Sequence, residues 1–190
     1  MNELKLQPKL FMLLLGCKPN GRNTEQHDTL FAIGSSLKDV VPQILGFWPD
    51  AGKIHIDGWR EVKNVGGYIV TVTGITDEKI TDNGKLFFIN LGGYKQNEFD
   101  EFHYKLLTVA LNKSDAIHRS KQTAFYKHTG FKGAESHIDD KYGVDVDDIY
   151  EISDILPKET KSQFKINIEK KINEDAEDEI HLGYFKLNDL

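Results

Sequence analysis

The sequence predicts an α+β fold with mixed or antiparallel sheets, and three observations lead to this class. Short apolar runs rich in β-forming residues alternate with polar loops. In each half of the chain, one helical pattern follows directly after a residue that is typical of a helix N-cap. Both patterns recur when the chain is laid over itself. We therefore expect two tandem pseudo-symmetric copies, each with the order strand-strand-helix-strand-strand, followed by a C-terminal β-hairpin.

The repeat appears when the chain is shifted by 76 positions, from Lys9 on Lys85 to Asp39 on Asp115. Nine of these 31 aligned residues are identical, so duplication is the favoured explanation. After an insertion, a shift of 82 lays a second set of identical residues over each other: His55-Ile56-Asp57 on His137-Ile138-Asp139. The predicted division is a first copy at 9–72, a second copy at 85–152 and a hairpin tail at 153–190.

The first predicted strand is the apolar run at 10–15, which Gly16 and Cys17 follow. A run of this kind before a cysteine also ends bacterial lipoprotein signals. The same run recurs at 86–91 in the middle of the chain, where no signal can act, so we predict a buried strand in both places. Cys17 is matched by Gly93, and we expect it to be an inert, buried thiol.

A second strand and a helix follow in each copy. The strands are predicted at 27–33 and 103–109 from their β-forming residues. Ser36 and Asn112 are typical N-cap residues, and each precedes an acidic residue by three positions, Asp39 or Asp115. The two helices are expected to run to about Trp48 and about Lys127.

The last predicted elements are strands as well. Segments 66–72 and 144–152 are expected to close the two copies. In the tail, Phe164, Ile166 and Ile168 alternate with polar residues, and 184–187 follows an acidic stretch. This spacing predicts a terminal hairpin with a long charged tip.

The charge and composition exclude several classes of protein. The 190 residues carry 24 basic and 30 acidic side chains, a net charge of -6. A general binder of nucleic acid or anionic membranes would gain its affinity from positive charge, so neither partner is expected. No run approaches the length of a membrane-spanning helix, and one cysteine cannot form an internal disulfide. We expect a cytoplasmic protein.

Four pairs of polar residues match between the copies without an explanation from packing or capping. They are Glu25 with Glu101, His27 with His103, His55 with His137, and Asp57 with Asp139. In a strand, residues two apart share a face, so each copy could gather a Glu, two His and an Asp at the mouth of its core. Such a set suits a divalent transition metal such as zinc, iron or manganese, with Glu25, His27, His55 and Asp57 as the metal ligands of the first copy. It would also serve acid–base chemistry.

A structural role explains the same residues. A histidine that hydrogen-bonds to a carboxylate can tie a loop to a sheet without any ligand. Trp59 adds to the first copy a feature that the second lacks, since Lys141 stands in its place. It is either a large core anchor or an aromatic wall of a ligand pocket.

Three segments carry a resemblance to a known family. They are Leu15-Gly16 with the nearby Glu25-Gln26-His27, the box His55-Ile56-Asp57-Gly58-Trp59, and Asn90-Leu91-Gly92-Gly93-Tyr94 followed by Glu101-Phe102-His103. They resemble the bacterial family called domain of unknown function 1543, over roughly 9–152. The resemblance implies a bacterial, cytoplasmic protein. The family's name assigns no activity, so it implies no catalytic residues.

The first functional hypothesis is a non-enzymatic binding or structural module that recognises a small molecule or another protein across the seam between copies. The alternative is a metal-dependent or acid–base hydrolase that uses Glu25, His27, His55 and Asp57. Convergence of these side chains at an open site would favour chemistry, and closed, fully paired hydrogen bonds would favour a scaffold. A homo-oligomer is compatible with either.

Overall fold

The structure is a computed structural model that describes residues 7–75, 84–94, 97–122, 144–171 and 177–190. The chain divides into two compact units. The first unit comprises Met1–Ile80 together with Leu156–Leu190, and the second comprises Thr81–Ile155. None of the helices in the described ranges is long and apolar enough to cross a membrane.

The described strands and helices are named in chain order. They are β1 (Lys9–Cys17), β2 (Gln26–Gly34), α1 (Leu37–Phe47), β3 (His55–Glu61), β4 (Asn64–Val65), β5 (Tyr68–Gly74), β6 (Lys85–Tyr94), β7 (Glu101–Ala110), α2 (Lys113–Ser120), β8 (Val144–Glu151), α3 (Ile152–Ile155), α4 (Lys158–Gln163), β9 (Phe164–Lys170) and β10 (His181–Lys186). The paired strands are antiparallel throughout, and the α+β class expected from the sequence is confirmed.

The main sheet of the first unit has the order β10-β3-β1-β2. Helix α1 begins at its predicted cap, where Ser36 Oγ accepts a hydrogen bond from the Asp39 backbone N–H at 3.3 Å. Its residues Val40 and Ile44 are fully buried against one face of the sheet. The core on that face contains Phe11, Leu13, Leu15, Leu30, Ala32 and Ile56. The opposite face of the same strands carries Leu10, Phe31 and Ile33, which are also buried.

A smaller sheet of the first unit has the order β4-β5-β9. Segment 177–180 is hydrogen-bonded to the beginning of β4 through Asp178, whose carboxylate is buried. Asp178 accepts hydrogen bonds from the backbone N–H groups of Lys63 and Asn64, each at 3.0 Å, and from Asn64 Nδ2 at 3.1 Å. These bonds hold the chain just before β10 beside the loop that leaves β3.

The second unit contains a three-stranded sheet of order β7-β6-β8. Helix α2 begins behind Asn112, whose Oδ1 accepts a hydrogen bond from the Asp115 N–H at 3.0 Å. The helix ends at Ser120, before the predicted end at about Lys127. The remainder of that prediction lies in 123–143, outside the described residues. The core of the second unit contains Phe87, Ile89, Leu91, Leu106, Ala110 and Ala116.

The predicted C-terminal hairpin is wrong in its pairing, although both of its strands form. Strand β9 pairs with β5, and β10 pairs with β3 at the edge of the main sheet. Each strand instead completes its backbone hydrogen bonds at a sheet edge of the first unit, where Ile168 of β9 is buried and Phe185 of β10 packs against the main core. The segment predicted as a separate tail thus completes both sheets of that unit.

At its end, the alignment of the copies at a shift of 82 differs from the strand pairing, because it equates strands with different places in the sheets. It lays Tyr68 of β5 on Tyr150 of β8, but β5 lies in the smaller sheet, whereas β8 is the direct partner of β6. By pairing, β8 takes the place of β3. Lys9 and Glu61 form an ion pair at 3.0 Å, and Lys85 and Glu151 form one at 2.9 Å in the same register. The duplication itself stays a prediction.

Candidate functional site

Three residues lie in a row on the face of the first unit's main sheet that is opposite helix α1. Gly16 on β1 is the direct strand partner of His27 on β2 and of His55 on β3. Residues directly opposite each other in an antiparallel pair share a face, so both histidines flank the glycine on one side of the sheet. A glycine at the centre leaves room above β1 for the two rings.

A β-bulge adds a fourth residue to this row. Leu14 pairs with Gly58 and Leu15 with Ile56, so Asp57 is an extra residue on β3 with no partner on β1. Bulges commonly change the direction of a side chain. Here the bulge turns the carboxylate of Asp57 towards both histidines.

We call Glu25, His27, His55 and Asp57 the acid–histidine cluster. Nε2 of His55 lies 3.0 Å from Glu25 Oε1 and 3.0 Å from Asp57 Oδ1. The other oxygen of Asp57, Oδ2, lies 3.3 Å from His27 Nε2. The structure therefore brings together all four residues predicted for the first copy, in a series of pairs that runs Glu25, His55, Asp57, His27.

The members of the cluster differ in their exposure. The side chain of His55 is only 5% exposed, whereas those of Glu25 and His27 are 43% and 46% exposed. Oδ2 of Asp57 is buried and accepts no hydrogen bond from the described part of the chain, despite its distance from His27. The cluster is thus anchored by a buried imidazole and open to solvent at both ends.

Trp59 is not brought to this cluster, and the bulge is the reason. His55 and Trp59 are four residues apart and would share a face in a regular strand. The extra residue reverses the alternation, so Trp59 pairs with Leu13 on the face that helix α1 covers. There it packs against the core, with Phe11 at a ring distance of 6.2 Å and His181 at 3.9 Å.

Cys17 lies next to Gly16 and is fully buried. Burial raises the pKa of its thiol, and the negative charge of Glu25 raises it further. A thiol with a raised pKa has little of the reactive thiolate at neutral pH. Cys17 therefore has the character of a core residue, as the sequence predicts.

A metal centre finds no support in the arrangement. Among the described residues, no group of three or more His, Cys, Asp and Glu side chains is placed to hold a metal ion. This agrees with the cluster being a series of pairs, since metal ligands surround one common point.

Sequence reasoning missed one aromatic neighbour, Tyr184 on β10. Its ring stacks on the imidazole of His55 with 4.1 Å between ring centres and 29° between planes. The tyrosine is nevertheless 64% exposed. Nothing local in the sequence indicates this contact, because it depends on β10 pairing with β3.

The described part of the second unit contains two of the four matched residues. Its residues Glu101 and His103 lie 4.0 Å apart, Oε2 to Nε2. His137 and Asp139 lie outside the described residues. The strand partner of Gly92 is Asp145, in the register position that His55 takes opposite Gly16. In the described register, the row across Gly92 therefore holds His103 and Asp145, whereas the row across Gly16 holds two histidines.

The range that a protein-family model matches coincides with this site. Residues 22–72 match Domain of Unknown Function (DUF1543). The family resemblance expected from the sequence is confirmed over this range. The DUF1543 match includes all four members of the acid–histidine cluster, whereas Gly16 and Tyr184 lie outside it.

Among solved structures, the chain is similar to the crystal structure of protein Il1583 from Idiomarina loihiensis. The identity is 19%, the TM-score is 0.54, and the match covers 95% of this chain and 97% of that one. A likeness at this identity shows the fold, and the DUF1543 match assigns no activity. No curated protein matches the chain.

Proposed function

We propose that the first unit is a binding module for a small molecule with a positively charged donor group, and that the acid–histidine cluster recognises that group. The observation that carries this is the position of His55. Its single Nε2 faces carboxylate oxygens of both Glu25 and Asp57 at 3.0 Å. One N–H can be directed well at only one of them, so the cluster has more acceptors than donors.

The charge of the cluster supports a cationic ligand. The cluster contains two carboxylates, which carry negative charge, and two imidazoles, which carry positive charge only in the protonated form. Oδ2 of Asp57 adds negative potential that no hydrogen bond offsets within the described part of the chain. The half-exposed Glu25 is the member that an incoming ammonium group can reach directly.

A purely structural network fits this arrangement less well. Structural buried polar groups are normally satisfied by hydrogen bonds. Within the described ranges, the Asp57 carboxylate keeps one oxygen without such a bond, and both ends of the series are half-exposed. A buried acceptor without a hydrogen bond, next to the half-exposed Glu25 and His27, is what a binding site for a donor group requires.

The proposal is tested by titrating the full-length, ¹⁵N-labelled protein with propylammonium chloride and, separately, with sodium propionate. We expect propylammonium to shift the amide signals around the cluster and propionate to leave them unchanged. Glu25→Gln should weaken propylammonium binding about tenfold, since a charged hydrogen bond is worth about 1.5–3 kcal/mol. Glu101→Gln is the matched control in the second unit and should change the affinity less than twofold. Equal binding of propionate, or an unchanged affinity in Glu25→Gln, would refute the proposal.

Elemental analysis of protein purified without an affinity tag separates an organic cation from a metal. We expect less than about a tenth of an equivalent of transition metal, unchanged after zinc or manganese is added. A retained stoichiometric metal ion would give the carboxylates of Glu25 and Asp57 another role and would overturn the proposal.

A second candidate function is acid–base hydrolysis, which one pair in the cluster favours. Oδ2 of Asp57 lies 3.3 Å from Nε2 of the half-exposed His27. A carboxylate on one ring nitrogen leaves the other nitrogen to accept a proton from water. The test is hydrolysis of p-nitrophenyl acetate. This candidate requires a rate above that of free imidazole, which His27→Ala abolishes and His103→Ala does not.

A further inference from the structure

The strand next to the acid–histidine cluster carries exposed apolar side chains. Leu182 and Tyr184 on β10 are 76% and 64% exposed, and Ile180 just before the strand is exposed as well. Large apolar side chains that lie together at the surface often mark a binding site. Because Tyr184 also contacts His55, this apolar surface adjoins the site for a charged group.

The pairing of β10 with β3 brings these side chains to the cluster. Leu182 pairs with Gly58 and Phe185 with Ile56, so β10 has an extra residue opposite the bulge at Asp57. A Cβ atom built on Gly58 would lie 3.0 Å from Leu182 Cδ2, so the leucine side chain lies over that glycine. Tyr184 stacks on His55 at the same irregular place.

We propose that the ligand of the acid–histidine cluster is an arylalkyl ammonium compound, and that Tyr184 selects it by contacting its ring. The inference rests on the proposed function, and it adds the chemical class of the rest of the ligand. One side of the Tyr184 ring stacks on His55, and the exposed remainder offers a flat surface to a second ring. Glu25, at the other side of His55, takes the ammonium group.

The order of residues at the site fits one small molecule. Glu25 and Tyr184 both contact the imidazole of His55, one at Nε2 and the other at the ring face. A ligand that lies at the surface beside the buried His55 can therefore place a charged end at the carboxylate and an aromatic end at the tyrosine.

The test compares 2-phenylethylammonium with propylammonium by isothermal titration and by NMR of the full chain. Wild-type protein should bind 2-phenylethylammonium at least about fivefold more tightly, since one aromatic pair is worth about 1 kcal/mol. This ratio should fall below twofold in Tyr184→Ala and be kept in Tyr184→Phe. Tyr104→Ala removes an exposed tyrosine of the second unit and should leave the ratio unchanged.

A measurement on the wild-type protein also tests whether Tyr184 contacts the ring of the ligand. Nuclear Overhauser contacts are expected between the phenyl protons of the ligand and the ring protons of Tyr184. If both amines bind with equal affinity and no such contact appears, Tyr184 selects nothing, and the cationic site of the proposed function still stands. If neither amine binds, the proposed function fails together with this inference.

Discussion

Gly16 and His55 are direct strand partners, and the imidazole of His55 occupies the space that a side chain at position 16 would need. A Cβ atom built on Gly16 would lie 2.5 Å from His55 Nε2 and closer still to Asp57 Oδ2. Real Cβ atoms do not approach other atoms so closely. The absence of a side chain at this one position is therefore the condition for the whole acid–histidine cluster.

Gly16→Ala should accordingly damage the site more than the fold. The added methyl group must push His55 and Asp57 apart, and overpacking of this kind costs about 1–3 kcal/mol. We expect propylammonium binding to weaken at least about tenfold. Urea unfolding and amide NMR titration measure both effects.

Gly46→Ala is the matched control. A Cβ atom on Gly46 meets nothing within 4 Å, and the residue lies in helix α1. Alanine favours a helix over glycine by about 1 kcal/mol, so this variant should be as stable as wild type or more so. Equal binding by the Gly16→Ala and Gly46→Ala proteins would contradict the close-packing argument.

His27→Ala should strengthen propylammonium binding, because it removes the imidazole beside Asp57 Oδ2, which competes with an ammonium group for that carboxylate. His103→Ala changes the aligned histidine of the second unit and should leave affinity within twofold. The contrast is expected because the register position of His55 holds Asp145 in the second unit. Equal changes in affinity in the two variants, measured by titration calorimetry, would contradict the assignment of the binding site to the first unit.

Cys17 should be unreactive in the folded protein. Burial, with the charge of Glu25, raises the pKa of the thiol, and the side chain is inaccessible. We expect its reaction with Ellman's reagent at pH 8 to be about 100-fold slower in buffer than in urea. A fast reaction in buffer would mean that β1 opens readily at Cys17.

The Lys85–Glu151 pair of the second unit should give a pH-dependent contribution to stability. Burial acts to raise the pKa of Glu151, but hydrogen bonds from Lys85 and Ser153 and the charge of Lys85 outweigh it, and the pKa is lowered. A lowered folded pKa stabilises the protein above the ordinary glutamate value. That contribution is lost as the pH falls through the folded pKa.

Lys85→Met tests this linkage. Because Lys85 is almost half-exposed, we expect a loss of only about 0.5 kcal/mol at pH 7. The loss should shrink as the pH falls through the lowered pKa of Glu151 and its carboxylate is protonated. Lys38→Met, at an exposed position of α1, should show no such change. A constant difference in unfolding free energy from pH 7 to pH 3 would contradict the assignment to Glu151.

Asp178→Ala should destabilise the first unit. It leaves the backbone N–H groups of Lys63 and Asn64 without their acceptor, at a cost of about 2 kcal/mol in urea unfolding. Glu177→Ala, at the exposed neighbouring position, is the control and should be close to neutral. If both variants lowered the free energy of unfolding equally, the effect would come from any change in segment 177–180 and not from the Asp178 carboxylate.

Much of the fold follows from local signals. Ser36 and Asn112 predicted the starts of α1 and α2, because capping depends on residues within one turn. Alternation predicted β9 and apolar runs predicted β1 and β6. The pairing of β9 and β10 could not be predicted, since it depends on which sheet edges the rest of the unit leaves open.

For the candidate site, the sequence by itself determined the residue types and their spacing: Glu25 two before His27, and His55 two before Asp57. It also determined that the residue at position 16 is a glycine, which has no side chain. The tertiary structure decided which of the candidates meet. The bulge at Asp57 directs that carboxylate to the histidines and turns Trp59 to the other face, and the pairing of β10 brings Tyr184 onto His55. Bulges and strand pairing are set by contacts between distant segments, and no local pattern encodes those contacts.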